Sequence, residues 1–397
     1  VGLVTGNLLT FTNLFPSAAM PLHGSFVRER MQRVVARGGY GWQVVAPVPL
    51  APWILRSGTY RRWAGVPAVE TEFGCAVHHP GYRHWPGLSG IRQADAMAAA
   101  ALPVVRTVCA GGAWVLDAHY LWPDGVAAAA IARELGLPLV LTARGSDLNV
   151  AAADPRIRAR IRAAASGAAQ LVAVSSDLCD RFAEVAAVPR DRVLEVRNGV
   201  DLDRFRPGDA RAARLELGLP EQGTLVLGVG RLVPGKGFDV ALEAVRSLAP
   251  ARLVLVGDGP ERRSLEAAGN GSLILLGEQP RDRVALAMRA CDVLVLPSER
   301  EGWPNVVTEA LASGLRVVAS RVGGIPEVLG HPAAGDMRLG ALVPPRDPDS
   351  LAAALGAVLA APVDLGHVRA HAQQWSWDGP VDALCRVFDR LLAGGRS

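Results

Sequence analysis

The chain has 397 residues, half of them hydrophobic, with 42 basic against 38 acidic side chains and a formal charge of +4. That length suggests two or three domains with sizeable cores, and the balance fits neither a disordered chain nor a strongly basic nucleic-acid binder. One count stands out: Lys236 is the single lysine, and the other 41 basic residues are arginine.

The five cysteines, Cys75, Cys109, Cys179, Cys291 and Cys385, are odd in number and have no CxxC spacing, so neither a disulfide framework nor a zinc site is indicated. No secretory leader is visible, and no apolar run reaches the ~18 residues of a membrane span. A soluble, cytoplasmic protein is the expectation.

In chain order, apolar runs rich in Val and Leu predict strands at Gly2–Gly6, Trp42–Pro47, Ala113–His119, Leu137–Ala143, Gln170–Ser175 and Val193–Arg197. Further strands are predicted at Thr224–Val229, Ala251–Gly257, Ser272–Gly277, Asp292–Pro297 and Leu315–Ser320. Nearly all are continuously apolar, which suits parallel sheets buried on both faces, with the intervening segments as crossover helices. The fold class is therefore α/β, doubly wound.

The turn-rich stretch from Arg197 to Gly208 divides the chain into similar halves. Residues 1–200 hold 20 Arg against 14 acids, net +6, and residues 201–397 are net −2. The expected domains are 1–198 and 199–379.

Two segments carry most of the chemistry. The first, from Asp292 to Gly314, reads as strand, loop and helix, with Glu301 in the loop, Pro304 at the helix start and Glu309 about one turn in. At ~1.5 Å rise per residue the carboxylates lie a few ångström apart along the axis, beside free N–H groups that favour an anion. A phosphate with sugars on both sides would satisfy all three features; a surface capping arrangement also fits. The second, Gly228-Val-Gly230-Arg231-Leu-Val-Pro-Gly235-Lys236-Gly237, follows a strand and opens a helix. Its glycines admit close backbone approach and its two cations suit a diphosphate, although a bland glycine turn is an alternative. The spacing is neither a Walker loop nor a Rossmann fingerprint.

These two segments, with the Asn198-Gly199-Val200-Asp201 connector, resemble the family 4 retaining glycosyltransferases of GT-B fold, over nearly the whole chain. The resemblance implies two Rossmann-like domains facing a central cleft that closes over a nucleotide-diphosphate sugar, a UDP- or GDP-sugar, with no obligate metal. It assigns Arg231 and Lys236 to the donor diphosphate, Glu301 to the transferred sugar and Glu309 to the ribose hydroxyls. Gly230, Gly302, Trp303, Asn305 and Val306 would line the donor through their backbone, and the loop Gly277-Glu-Gln-Pro280-Arg281 would border the base. Trp303 stands where the family often has Phe, and Asn305 where a small residue is frequent.

In the N-terminal half the resemblance places His119, at a strand end, against the transferred sugar, and Gly24 against the diphosphate. Arg144 stands where the family often has His in a His-Gly-x-Asp segment. It would bind an acidic acceptor or pair with Asp147. Residues 380–397 would cross back onto the first domain.

Trp53, Trp63 and Trp85 accompany Arg56, Arg61 and Arg62, and no acid lies between residues 51 and 69. Aromatics with Arg suit a membrane interface or a lipid-diphosphate acceptor, and equally ordinary packing. Trp53 and Trp85 join Arg144 and Asp147 as candidate acceptor contacts. The acceptor is expected to be a saccharide, a glycolipid or another hydroxyl compound, in bacterial envelope or exopolysaccharide synthesis. Peripheral association with the inner face of a membrane is an option, and nucleic acid is not a partner. Asp201-Leu-Asp203 and Asp347-Pro-Asp349 read as turn and cap residues rather than metal sites, and the Arg156–Arg162 run as a solvated helix face. A nucleotide-sugar epimerase or hydrolase and a non-catalytic sugar-nucleotide binder are the competing functions. A pyridoxal-dependent phosphorylase would need a Schiff-base lysine, and the single lysine lies in a phosphate-type loop.

Overall fold

The computed structural model describes residues 6–52, 59–72, 74–85, 90–330 and 337–394. The chain divides into two compact units, residues 1–198 with 378–397, and residues 199–377.

The first unit carries strands β1 (Asn7–Phe11), β2 (Gly41–Val45), β3 (Val48–Leu50), β4 (Val69–Glu72), β5 (Cys75–His78), β6 (Gly81–Arg83), β7 (Trp114–His119), β8 (Leu139–Ala143), β9 (Gln170–Ala173) and β10 (Val193–Glu195). Eight of them form one sheet in the order β10-β9-β8-β7-β1-β2-β5-β4, and β3 pairs with β6. All its ladders are parallel except β4 against β5. Every residue of β8 is buried, as a strand covered on both faces requires.

The strand expected at Gly2–Gly6 falls almost wholly outside the described residues, and the first described strand starts at Asn7. It admits the polar Thr10 because the Trp42 indole N–H donates to the Thr10 hydroxyl at 3.0 Å. Helix Ser25–Gly38 follows β1 and opens at Gly24, whose φ is +64°. A Cβ there would lie 2.1 Å from the Leu14 carbonyl oxygen, so only glycine lets the loop after β1 fold onto the helix start. The last helix, Asp378–Gly394, belongs to this unit: Tyr40 donates to Asp389 at 2.6 Å, and Arg37 pairs with Asp378 at 2.9 Å and Asp382 at 2.5 Å.

The second unit carries β11 (Leu225–Val229), β12 (Arg252–Val256), β13 (Leu273–Gly277), β14 (Val293–Leu296), β15 (Val317–Ser320) and β16 (Gly340–Val343), in the order β13-β12-β11-β14-β15-β16. All its ladders are parallel. The chain winds outward from β11 to β13, then restarts on the other side at β14. The point between β11 and β14 is therefore a topological switch point, where open α/β sheets leave a crevice beyond the strand ends. Behind it, Val226, Leu253, Leu255 and Val293 pack on Phe238 and Val245 of helix Phe238–Arg246 and on Leu351 and Leu355 of helix Pro348–Ala360. Among the described residues no single helix is long and apolar enough to cross a membrane.

Candidate active site

In the second unit the loops after β11 and β14 meet at the switch point. The Glu299 N–H donates to the Gly235 carbonyl at 3.0 Å. Gly237, at φ +67°, lies so near the other loop that a Cβ would sit 2.3 Å from the Pro297 carbonyl oxygen. These contacts set Lys236, at the end of a short 3₁₀ turn, against Glu301. Lys236 Nζ donates to Glu301 Oε1 at 2.5 Å, and Ser298 Oγ donates to the same oxygen at 2.7 Å. The two side chains are 28% and 11% exposed, so the pair is only partly screened by water. Arg231 is exposed and forms no ion pair with a described residue.

The helix after β14 spans Asn305–Ala312, and Glu309 is buried on it. Glu309 Oε1 accepts from Arg281 Nη2 at 2.8 Å. Arg281 begins helix Arg281–Ala290, just past the Gly277–Pro280 loop that ends β13. The Asn305 N–H donates to the Trp303 carbonyl at 3.0 Å, so in this geometry it is used within the loop. Val306 follows it, half-buried, and Gly302 accepts the Gly324 N–H at 3.1 Å. The Trp303 side chain is buried and packs edge-on against Trp375, ring centroids 5.2 Å apart. Gly230 donates to Val256 O at 3.0 Å, closing the start of the Lys236 loop.

The first unit has its own switch point, between β1 and β7, with Gly24 on the loop after β1 and His119 ending β7. His119 is 1% exposed. Arg144 Nη2 lies 2.8 Å from its Nδ1, and Asp117 Oδ2 lies 2.9 Å from its Nε2. An arginine can only donate, so Nδ1 accepts and the proton is assigned to Nε2, facing Asp117. Burial holds the imidazole down to about 4, against the pull of Asp117 and with the help of Arg144. It is neutral at physiological pH: Nδ1 is held by Arg144, while Nε2 lies close to Asp117 without hydrogen-bond geometry.

Arg144 does not pair with Asp147 through its guanidinium. Its Nη1 donates to Asn198 Oδ1 at 3.1 Å, and its Cζ lies 5.3 Å from the centre of the Phe26 ring. Burial lowers it to about 10, with Asp117 and Asp147 opposing. Asp147, fully buried, accepts backbone N–H groups instead: Leu121 at 2.9 Å, Gly145 at 2.7 Å, and Arg144 and Leu148 at 3.1 Å. Burial pushes its carboxyl up while those donors pull it down. Trp85 is 48% exposed beyond β6. Trp53 and Arg56 lie outside the described residues.

A family model described as "Glycosyl transferases group 1" matches residues 223–361, and one described as "Glycosyltransferase Family 4" matches residues 60–204. The putative teichuronic acid biosynthesis glycosyltransferase TuaC of Bacillus subtilis is 33% identical over 330 residues, covering 81% of this chain and 83% of that protein. The chain belongs to the family 4 glycosyltransferases. A D-inositol 3-phosphate glycosyltransferase of Segniliparus rotundus is 31% identical, over 83% of this chain and 78% of its own. Among solved structures, sucrose-phosphate synthase from Thermosynechococcus elongatus superposes with a TM-score of 0.77 at 19% identity, over 98% of this chain and 99% of its own. Anabaena HepE in complex with UDP-glucose gives 0.69 at 18% identity, over 96% and 99%. These likenesses give this glycosyltransferase the GT-B fold.

Sequence reasoning missed three residues of the glycosyltransferase, and it put Arg281 in the loop beside the base without its partner Glu309. Asp117 lies two positions before His119, so on a strand it shares its face, a signal that was available. Arg30, fully buried, donates to the carbonyls of Val196 at 2.6 Å and Arg197 at 3.1 Å. It falls on the Val27, Met31, Val34 face of its helix, the apolar one. Ser298 had no distinguishing spacing.

Proposed function

We propose that this glycosyltransferase moves a sugar, with retention of configuration, from a UDP- or GDP-sugar to a hydroxyl acceptor. The observation that carries the reading is the meeting of Lys236 and Glu301 at 2.5 Å on the two loops of the second unit's switch point. A cation for phosphate and a carboxylate for sugar hydroxyls are thus side by side, where such sheets bind ligands. Arg231 and Lys236 take the diphosphate charge without an obligate metal, and Glu301 holds the sugar hydroxyls. Glu309 accepts from the ribose, with Gly277 and Pro280 beside the base.

In the reaction the bond from the anomeric carbon to the diphosphate oxygen breaks, and the acceptor oxygen bonds that carbon on the same face. The acceptor proton passes to the departing phosphate. The protein's part is positioning and stabilisation of the leaving charge by preorganised cations. In the first unit, Gly24 and His119 are the candidate donor contacts that the family resemblance names. Buried, neutral and held at Nδ1 by Arg144, His119 acts in this reading as a fixed wall rather than a proton shuttle.

The two relatives are named for teichuronic acid and for inositol 3-phosphate, both acidic, and the net +6 of residues 1–200 supports an acidic saccharide or lipid-linked acceptor. Arg144, Trp53 and Trp85 are its candidate contacts, in a cytoplasmic enzyme that works in solution or at a membrane surface. The test is NMR of the chain with UDP- and GDP-sugars and a panel of acceptors. A new glycosidic linkage with the donor's anomeric configuration is expected. An inverted linkage overturns retention, and an epimerised or hydrolysed donor without a linkage overturns transfer.

A further inference from the structure

We propose that Arg281 is the positioning residue that aims Glu309 at the donor ribose, so that the enzyme's preference for ribose over deoxyribose nucleotides depends on it. The inference rests on the donor role given above to Glu309.

A glutamate has three rotatable bonds, and a carboxylate that must accept from ribose hydroxyls loses affinity if it has to be ordered by the ligand. Arg281 supplies that order in advance. Its Nη2 donates to Glu309 Oε1 at 2.8 Å, between side chains 23% and 10% exposed. Charge-assisted hydrogen bonds of this kind are the short, strong ones.

The arginine is itself held. Its Cζ lies 5.2 Å from the centre of the Phe205 ring, and Phe205 is fully buried, a rigid platform under the guanidinium. The neighbouring acid, Asp282, is bound by Arg204 at 2.9 Å. The Glu309 carboxylate is therefore fixed from the side of the Gly277–Pro280 loop, the side on which the proposed base would lie. A lysine at this position would bring the charge but not the planar face that lies on Phe205.

The test uses the full chain, with Arg281→Gln, Arg281→Lys, Glu309→Gln and the double variant Arg281→Gln/Glu309→Gln. Calorimetry measures UDP and GDP against their 2′-deoxy and 3′-deoxy forms, and steady-state kinetics separates kcat from donor KM. The wild type should prefer the ribose forms. Arg281→Gln should raise donor KM about tenfold or more with kcat within about threefold, and bring ribose and deoxyribose affinities together. Arg281→Lys should recover part of the preference, which also guards against a glutamine variant that does not fold. The double variant should be no worse than Glu309→Gln, since both act on one contact. Wild-type discrimination in folded Arg281→Gln or Arg281→Lys would overturn the inference and leave the donor reading intact. A wild type that binds no nucleoside diphosphate would overturn the donor reading itself, and the inference with it.

Discussion

Lys236→Arg keeps the charge and changes its shape. Lys236 Nζ sits 2.5 Å from Glu301 Oε1, an oxygen already occupied by Ser298 Oγ at 2.7 Å. The pocket cannot widen easily, because the Glu299 N–H is bonded to Gly235 at 3.0 Å and Gly237 lies against the Pro297 carbonyl. A guanidinium is planar and broad where the ammonium is compact, so it must displace Glu301 or stand off from the phosphate. A displacement of about 1 Å at a reacting centre costs about 100-fold in rate. Loss of the cation altogether, in Lys236→Ala, removes one preorganised donor to the leaving group, worth about 100- to 1,000-fold in kcat. The expected order is therefore wild type, then Arg down about 100-fold, then Ala at or below it. Both variants should keep the wild-type unfolding midpoint, because the pair is partly exposed and contributes little to stability. The assay is nucleoside diphosphate release under saturating donor, with urea unfolding of each variant as the control. An Arg variant with kcat within about threefold of wild type would refute the shape argument. Wild-type kcat in the Ala variant would refute the role of Lys236 itself.

Three further outcomes follow from the same geometry. Glu301→Gln should bind free nucleoside diphosphate at least as tightly as wild type, because Lys236 no longer has a carboxylate to leave, while transfer falls about 100-fold; calorimetry showing clearly weaker binding would refute the competition between Glu301 and phosphate for Lys236. Asp147→Ala should lower unfolding free energy by about 3 kcal/mol, since the N–H groups of Leu121, Arg144 and Gly145 lose their acceptor while Leu148 keeps the Gly145 carbonyl; a urea-unfolding loss under about 1 kcal/mol would show that they find others. His119, held at about 4 by burial, takes a proton near 6.5 only when unfolded, so the unfolded chain binds the extra proton between those values and stability rises with pH across that window. Replacing His119 by Gln should shrink the difference in unfolding free energy between pH 7 and pH 5 by about 2 kcal/mol, and an unchanged difference would refute a neutral buried imidazole.

The parallel sheets were legible because their strands are covered on both faces and so read as unbroken apolar runs. The strands that escaped lack that property. In β4 the burial alternates between exposed and half-buried, and β3 and β6 have three residues each. β16, four residues at the sheet edge, begins at a glycine and carries too short a run to stand out. β4 is also the antiparallel edge of its sheet, where the rule of continuous burial does not hold. At the site, residue types and their positions at strand ends were readable, but partners were not. Lys236 and Glu301 are 65 positions apart, and only the return of the chain to the other side of β11 brings them together. For Arg144 the two readings open to the sequence were an acidic ligand or Asp147, and its guanidinium holds His119 and Asn198 in place of Asp147. Nothing local marks such a contact, since Asn198 is 54 residues away.

The single lysine gains its meaning from comparison with Arg281. Two carboxylates flank the start of one helix, and each has a different cation. Arg281 sits over the Phe205 ring and holds Glu309, an arrangement that works best when it does not move. Lys236 is a point charge on a flexible stem, and in the proposed reaction it must leave Glu301 for the diphosphate and return when the product departs. A guanidinium can replace an ammonium at most exposed positions with little consequence, which is why a chain that uses arginine 41 times tolerates it. At position 236 the charge has to fit between two tied loops and change partners there. In the proposed reaction those two demands together select the compact, mobile cation at 236, while a static grip on Glu309 beside Phe205 suits the planar one at 281.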